Sequence, residues 1–220
     1  MKKIVIFLTY LYPNRDDFFK ILDLLDKSNI FGVEIGLPDE NAYLDGDTIK
    51  DINKKILKRG FSLEEFEKDL KYIYSKYNFK TILMGYKSSI DKLNLNKLKN
   101  YYHGIIVVDK TGYDKQIPLI SKENSESINL EEYSNSLFAY VMSGSGKTGS
   151  FDKLPDEYIK SIENIKSRSN LECFVGFGIK NKEDVEQVIE NGADGAIIGS
   201  SFLKKTTNFE DLKEYVNNLF

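Results

Sequence analysis

At 220 residues, 41% hydrophobic and 30% charged, the chain has the size and composition of one soluble globular domain with a sizeable core. A net charge of −3 excludes the basic footprint of a nucleic-acid binder, and no apolar run is long enough to cross a bilayer. One cysteine, Cys173, excludes an internal disulfide framework, and one histidine, His103, excludes a multi-histidine metal site.

Met1-Lys-Lys followed by an apolar run has the opening of a signal peptide. The run is too short, however, and Tyr10-Leu-Tyr-Pro-Asn14 offers no small-residue cleavage site. Residues 3–10 are therefore predicted as a first strand, and a reducing cytoplasm is the expected compartment. Pro13-Asn14 ends that strand, and Asn14 can cap a helix in which Phe18, Ile21, Leu22 and Leu25 fall on one face. Residues 31–36 form a second strand with a carboxylate, Glu34, inside an apolar run. Residues 37–47 are a loop containing Asp45-Gly46. Ser62-Leu-Glu-Glu65 is a capping box opening a helix with Leu63, Phe66, Leu70 and Ile73 on one side. Residues 79–84 are strand three, 91–101 a helix, 104–108 strand four, 117–120 strand five, 130–135 a short helix and 137–142 strand six. Residues 155–168 are helical, with Ile159, Ile162 and Ile165 on one side. Phe209, Leu212, Val216 and Leu219 make a terminal amphipathic helix.

Between those last two helices lies the stretch that organises the rest. Residues 173–175 are apolar, Gly176 and Gly178 break the run, Val185, Val188 and Ile189 repeat at helical spacing, and Gly192 stands where a helix-ending glycine belongs. Residues 196–198 are the eighth strand, ended by Gly199-Ser200. Eight strands alternating with helices predict a single-domain α/β (β/α)8 TIM barrel over residues 1–220, with trimmed loops to fit the length. Glycine turns after the last two strands suit a phosphate cup, because backbone N–H groups can approach an anion there; the same glycines also suit plain tight turns.

Active sites of such barrels lie at the C-terminal ends of the strands. Glu34, Asp45, Asp109, Tyr140 and Thr148 pass that filter. Glu34 stands open between an inward carboxyl with a raised pKa, able to give and take protons, and a structural ion pair. From sequence alone Asp45-Gly46 reads first as a turn, and Tyr140 also suits the core. Ser143-Gly-Ser-Gly-Lys-Thr148 has the look of a nucleotide-binding P-loop, but the required first glycine is Val141 and no helix starts at Lys147-Thr148. With no usable histidine or cysteine nucleophile, carboxylate acid–base chemistry is favoured.

The motifs converge on a resemblance. Phe7-Leu-Thr9, Val33-Glu-Ile-Gly-Leu-Pro38 with Asp45-Gly-Asp-Thr-Ile49, Leu83-Met-Gly-Tyr86, Ile106-Val-Val-Asp109, Tyr140-Val-Met-Ser143 with Gly146-Lys-Thr-Gly149, Gly176-Phe-Gly-Ile179 and Gly195-Ala-Ile-Ile-Gly-Ser200 stand in the order and spacing of the tryptophan synthase α-subunit family. The resemblance implies a lyase that cleaves indole-3-glycerol phosphate into indole and glyceraldehyde 3-phosphate. It implies Glu34 as general acid–base, Asp45 as acceptor of the indole N–H and Tyr140 as a supporting group. Phe7, Ile49, Phe177 and Ile197 would line the indole pocket, Gly149, Gly178, Gly199 and Ser200 would hold the phosphate, and Thr148 would close over Asp45. It also implies a β-subunit partner in an αββα complex. No metal or organic cofactor is expected in this chain, pyridoxal phosphate belonging to the β subunit. The family's helix before the first strand has no counterpart here, so the likeness is to a short variant. Asp39-Glu-Asn-Ala42 replaces the family's Phe-Ser-Asp-Pro, Lys87-Ser88-Ser89 stands at its Asn-Pro, Asp109-Lys-Thr111 at its Asp-x-Pro, and Gly144 at its loop arginine. These are mostly partner-facing or loop positions. Two alternatives remain: another phosphate-binding barrel, such as an isomerase or a prenyl-glyceryl phosphate synthase, and a weakly active α-like subunit that mainly activates a β subunit.

Overall fold

The structure, a computed structural model, describes residues 2–144 and 154–220. The elements run β1 (Lys3–Thr9), α1 (Arg15–Lys27), β2 (Gly32–Gly36), α2 (Asp47–Lys58), α3 (Leu63–Lys76), β3 (Lys80–Gly85), α4 (Lys87–Ile90), α5 (Leu95–Leu98), β4 (Gly104–Val107), β5 (Leu119–Ile120), a 3-10 turn (Leu130–Tyr133), β6 (Ala139–Met142), α6 (Glu157–Lys166), β7 (Cys173–Gly176), α7 (Lys182–Glu190), β8 (Gly195–Ile198), α8 (Ser200–Leu203) and α9 (Phe209–Asn217). All strands are parallel, in the order β4-β3-β2-β1-β8-β7-β6-β5. The remaining seam is bridged low down, where Ile105 N–H donates to the Lys115 carbonyl at 3.1 Å and Ile117 N–H to the Ile105 carbonyl at 2.8 Å. The result is the nearly closed barrel that the strand count predicts.

Local chemistry starts the helices where side chains can accept orphan N–H groups. Asn14 accepts from Asp17 N–H at 3.0 Å, Ser62 from Glu65 N–H at 3.3 Å, Asn181 from Asp184 N–H at 2.9 Å and Asn208 from Glu210 N–H at 3.1 Å. Gly192, at φ 97°, ends α7. Three sequence expectations are corrected. The helix predicted over 91–101 is a single turn, α5, because Asn94 caps a fresh start after α4 has ended at Ile90, its side chain accepting from Lys97 N–H. Helix α2 was not anticipated, although Ile49, Ile52 and Ile56 repeat at helical spacing. Nor was the single turn α8 that follows β8.

The strands alternate between two cores. Outward residues such as Ile4, Ile6, Val33 and Ile35 pack under the helices, while Val5, Ile82, Ile106, Ile117, Phe138, Tyr140, Phe174 and Ile197 fill the barrel. Phe138 and Phe174 stack at 4.3 Å near its floor. Gly195 admits the Phe174 ring, since a Cβ there would stand 2.6 Å from it. This plug closes the lower barrel and leaves the site at the upper end.

Candidate active site

Above the aromatic floor, at the C-terminal ends of the strands, lies a cavity of about 330 Å³. Glu34, Asp45, Tyr140, Phe7, Ile49, Phe177, Ile197, Gly178, Gly199 and Ser200 all line it. Ten side chains and turns named from sequence, spread along the chain from Phe7 to Ser200, are thus brought to one space. Thr148 and Gly149 lie outside the described residues.

Glu34 sits beside Phe7 in the β1–β2 register and beside Ile82 in the β2–β3 register. It is 1% exposed, and its Oε1 has no hydrogen-bond partner. Burial alone pushes its carboxyl up to about 8; among the described residues no neighbouring cation offsets the loss of hydration. The described residues therefore offer Glu34 no ion pair. A buried carboxyl without a partner is costly to ionise, so at neutral pH it keeps its proton and can donate it.

Asp45 belongs to the loop before α2. It does close a turn, its N–H donating to the Ala42 carbonyl at 3.2 Å, but its carboxyl faces the cavity. Burial raises that carboxyl to about 6, while a hydrogen bond from Tyr86 and the charge of Lys50 hold it down. Tyr86 also accepts from Leu44 N–H at 3.0 Å, so one phenol at the end of β3 fixes both the backbone and the side chain of the Asp45 loop. Asp39 makes a second tie. This buried carboxylate accepts from the Ser88 hydroxyl at 2.5 Å and from the Ser89 hydroxyl. Two of the positions that depart from the family pattern are thus bonded to each other, and together they hold the loop to α4. Asp109, by contrast, stands outside the main cavity and accepts from Lys87 N–H at 2.7 Å.

Tyr140 is buried in the cavity wall. Burial first, then the charges of Glu34 and Asp45, hold its phenol well above the usual range, so it stays neutral. Gly176 is what makes room for it: a Cβ there would lie 2.2 Å from the Tyr140 hydroxyl oxygen. Gly36 serves Phe7 in the same way, with its missing Cβ 2.6 Å from the Phe7 ring.

The two glycine turns lie side by side. Phe177 and Gly178 have φ of 70° and 81°, consecutive left-handed residues that only a turn held from outside sustains at a phenylalanine. Ser143 supplies that hold, donating from its hydroxyl to the Phe177 carbonyl at 2.5 Å and from its N–H to the Gly176 carbonyl at 2.9 Å. Ser201 then joins the turn after β8 to the turn after β7, its hydroxyl donating to the Ile179 carbonyl at 2.8 Å. Gly199 meets nothing closer than Phe7 Cβ, 3.7 Å from where its own Cβ would stand; protein packing does not dictate a glycine there. Sequence reasoning missed Tyr86, Ser201 and the apolar wall of Met84, Val108, Leu119 and Met142. Strand alternation from Ile82 to Met84 and from Tyr140 to Met142 is the signal that would have found two of them.

A parallel eight-stranded barrel with a shielded carboxyl, a second carboxyl in a tethered loop and paired glycine turns at its upper end has the layout of a (β/α)8-barrel enzyme. The comparisons with known proteins narrow this class. The family model described as tryptophan synthase alpha chain matches residues 1–219. The tryptophan synthase alpha chain of Methanococcus voltae is 30% identical, covering 94% of this chain and 80% of the relative; that of Parabacteroides distasonis is 32% identical over 90% and 85%. Among solved structures, the tryptophan synthase α subunit of the hyperthermophile Pyrococcus furiosus superposes with a TM-score of 0.82 at 23% identity, covering 99% of this chain and 97% of that one. Tryptophan synthase of M. tuberculosis gives 0.81 at 18%, covering 99% and 91%; both likenesses speak to the fold. The chain belongs to the tryptophan synthase alpha chain family.

Proposed function

We propose that the protein cleaves indole-3-glycerol phosphate to indole and glyceraldehyde 3-phosphate. The observation that carries this reading is the contrast between the two carboxyls. Glu34, pushed up to about 8, is protonated at neutral pH, whereas Asp45, at about 6, is largely ionised. A pair of acids separated in this way can take opposite roles at one pH.

Glu34 gives its proton to C3 of the indole ring. Asp45 accepts the ring N–H hydrogen bond and stabilises the positive charge that then develops at nitrogen. Glu34, now a carboxylate, takes the proton from the hydroxyl on the carbon attached to C3. The carbon–carbon bond breaks, its electron pair returns to the ring to restore neutral indole, and the hydroxyl carbon leaves as the aldehyde. The proton lost at C3 protonation is regained from the hydroxyl, so Glu34 ends as it began. Tyr140 supports the site as a neutral wall group. Phe7, Ile49, Phe177 and Ile197 enclose the ring. Gly178, Gly199 and Ser200 offer backbone N–H groups to the phosphate, Ser200 its hydroxyl as well; Gly149 joins them, and Thr148 closes over Asp45. The chemistry needs only side chains of this chain.

A tryptophan synthase β subunit is the proposed partner, with pyridoxal phosphate on the partner's side, and the cytoplasm the proposed compartment. The test is release of indole from indole-3-glycerol phosphate with and without a β subunit. Turnover by the chain alone that rises on adding β supports the whole proposal. No release in either case, by folded protein, overturns the reaction; release that β leaves unchanged removes the partner.

A further inference from the structure

Next to the substrate cavity lies a second cleft, of about 640 Å³. The two spaces share Val108, Leu119 and Met142. All three are half-buried, although they stand at the inner face of a barrel whose strand residues are otherwise mostly sealed. The second cleft is lined as well by Val107, which packs on the outer side of β4, and by Pro118 and Tyr133. It therefore passes through the barrel wall. The reason is the β4–β5 seam: Ile105 bridges to residues 115–117, and above it no ladder joins the two strands among the described residues. The connection over residues 108–118 contains no helix to cover the gap.

The order of strands around the ring sets β4 and β5 opposite β8 and β1. On the lyase reading, on which this inference rests, the phosphate is anchored by the turns after β7 and β8, and the indole ring lies over Glu34 on β2. The far, benzenoid edge of the ring then meets the β4–β5 wall. We propose that Val108, Leu119 and Met142 form a specificity-determining partition, and that the cleft behind it receives substituents carried on the benzenoid ring of indole-3-glycerol phosphate. Val107, Ile128 and Tyr133 give the cleft an apolar inner part suited to an aryl or alkyl group, with Asp109 and Lys110 also among its lining.

The probe is indole-3-glycerol phosphate bearing a benzyloxy group on the benzenoid ring, assayed beside the parent compound. Leu119→Ala and Met142→Ala open the partition. Ile197→Ala removes as much volume from the barrel interior, where Ile197 is 2% exposed and outside the second cleft. A benzyloxy group is larger than the carbons any of these changes removes, so it enters only where a void lies behind the deleted side chain. The two wall variants are expected to raise the ratio of kcat/KM for the benzyloxy compound to that for the parent by about tenfold or more, the scale at which a pocket discriminates by fit, and Ile197→Ala is expected to leave it unmoved. A ratio unchanged in both wall variants, or raised equally by Ile197→Ala, overturns the partition. So does loss of parent turnover in both folded wall variants, which would make the wall part of the small-ring site. A wild-type protein inert on the parent compound instead sinks the lyase reading, and the partition with it.

Discussion

Glu34 concentrates the chemistry and the cost of the site in one residue. Its carboxyl is shielded and unpaired, so the folded chain binds its proton more tightly than the unfolded chain does. Stability from such a group is fully present below the unfolded value and is lost as pH rises through the folded one. For Glu34 the window runs from 4.5 to about 8, and for Asp45 from 3.8 to about 6. The thermal midpoint is accordingly expected to fall between about pH 6 and about pH 8, and Glu34→Gln, neutral throughout, to remove most of that fall. A midpoint in the variant that tracks wild type over the same range would show that Glu34 is hydrated or paired. The sequence shows a carboxylate interrupting an apolar strand, and alternation confines it to one of two faces. What the neighbouring strands set against it depends on β1 and β3, whose registers no local pattern states. The choice between an acid and an ion pair turns on the absence of a cation around it among the described residues. Asp45 is legible as a candidate, but its residues alone leave it a turn: Asp-Gly is a turn signal whatever its carboxyl faces, and Tyr86, which holds it, comes from a loop 41 positions away.

The turns after β7 and β8 act as a pair. Each is readable in sequence as glycine after a buried run, and β7 and β8 lie within a residue of their expected bounds. The hydrogen bond that keeps the turns together, from Ser201 to the Ile179 carbonyl, was not legible, because a serine beside a glycine turn has many local uses. The same limit hid α8, a single turn too short to show a period. Ser200 opens that turn and faces the cavity. Ser200→Ala is expected to raise KM for indole-3-glycerol phosphate about tenfold, the loss of one hydrogen bond to a charged group, with the thermal midpoint unchanged. A KM left at the wild-type value would show that the Ser200 hydroxyl does not contact the phosphate. Competition from local side-chain capping limits the other short elements: Asn94 starts α5 afresh, so the run over 91–101 keeps only the turn Leu95–Leu98.

The barrel closes on relatively few residues because its connections are trimmed. The βα repeat announces eight strands, and the parallel order follows once each strand is joined through a helix or loop to the next. Its lower end depends on the Phe138–Phe174 stack, both rings fully buried. Phe138→Ala should destabilise the protein by about 3–5 kcal/mol, measurable by denaturant unfolding; a loss below about 1 kcal/mol would mean that the floor repacks and does not close the barrel. The open β4–β5 seam was not legible, since strand five was expected over 117–120 and only two residues form a ladder.

The central claim is that Glu34, protonated, and Asp45, ionised, cleave the substrate together. The most direct measurement is kcat/KM for indole release from indole-3-glycerol phosphate between about pH 5 and about pH 9, for wild type and Glu34→Gln. Wild type should give a bell with limbs near 6 and 8, and Glu34→Gln should lie at least about a hundredfold lower at the optimum, the scale of a lost general acid–base. A Glu34→Gln protein that releases indole at the wild-type rate would contradict it.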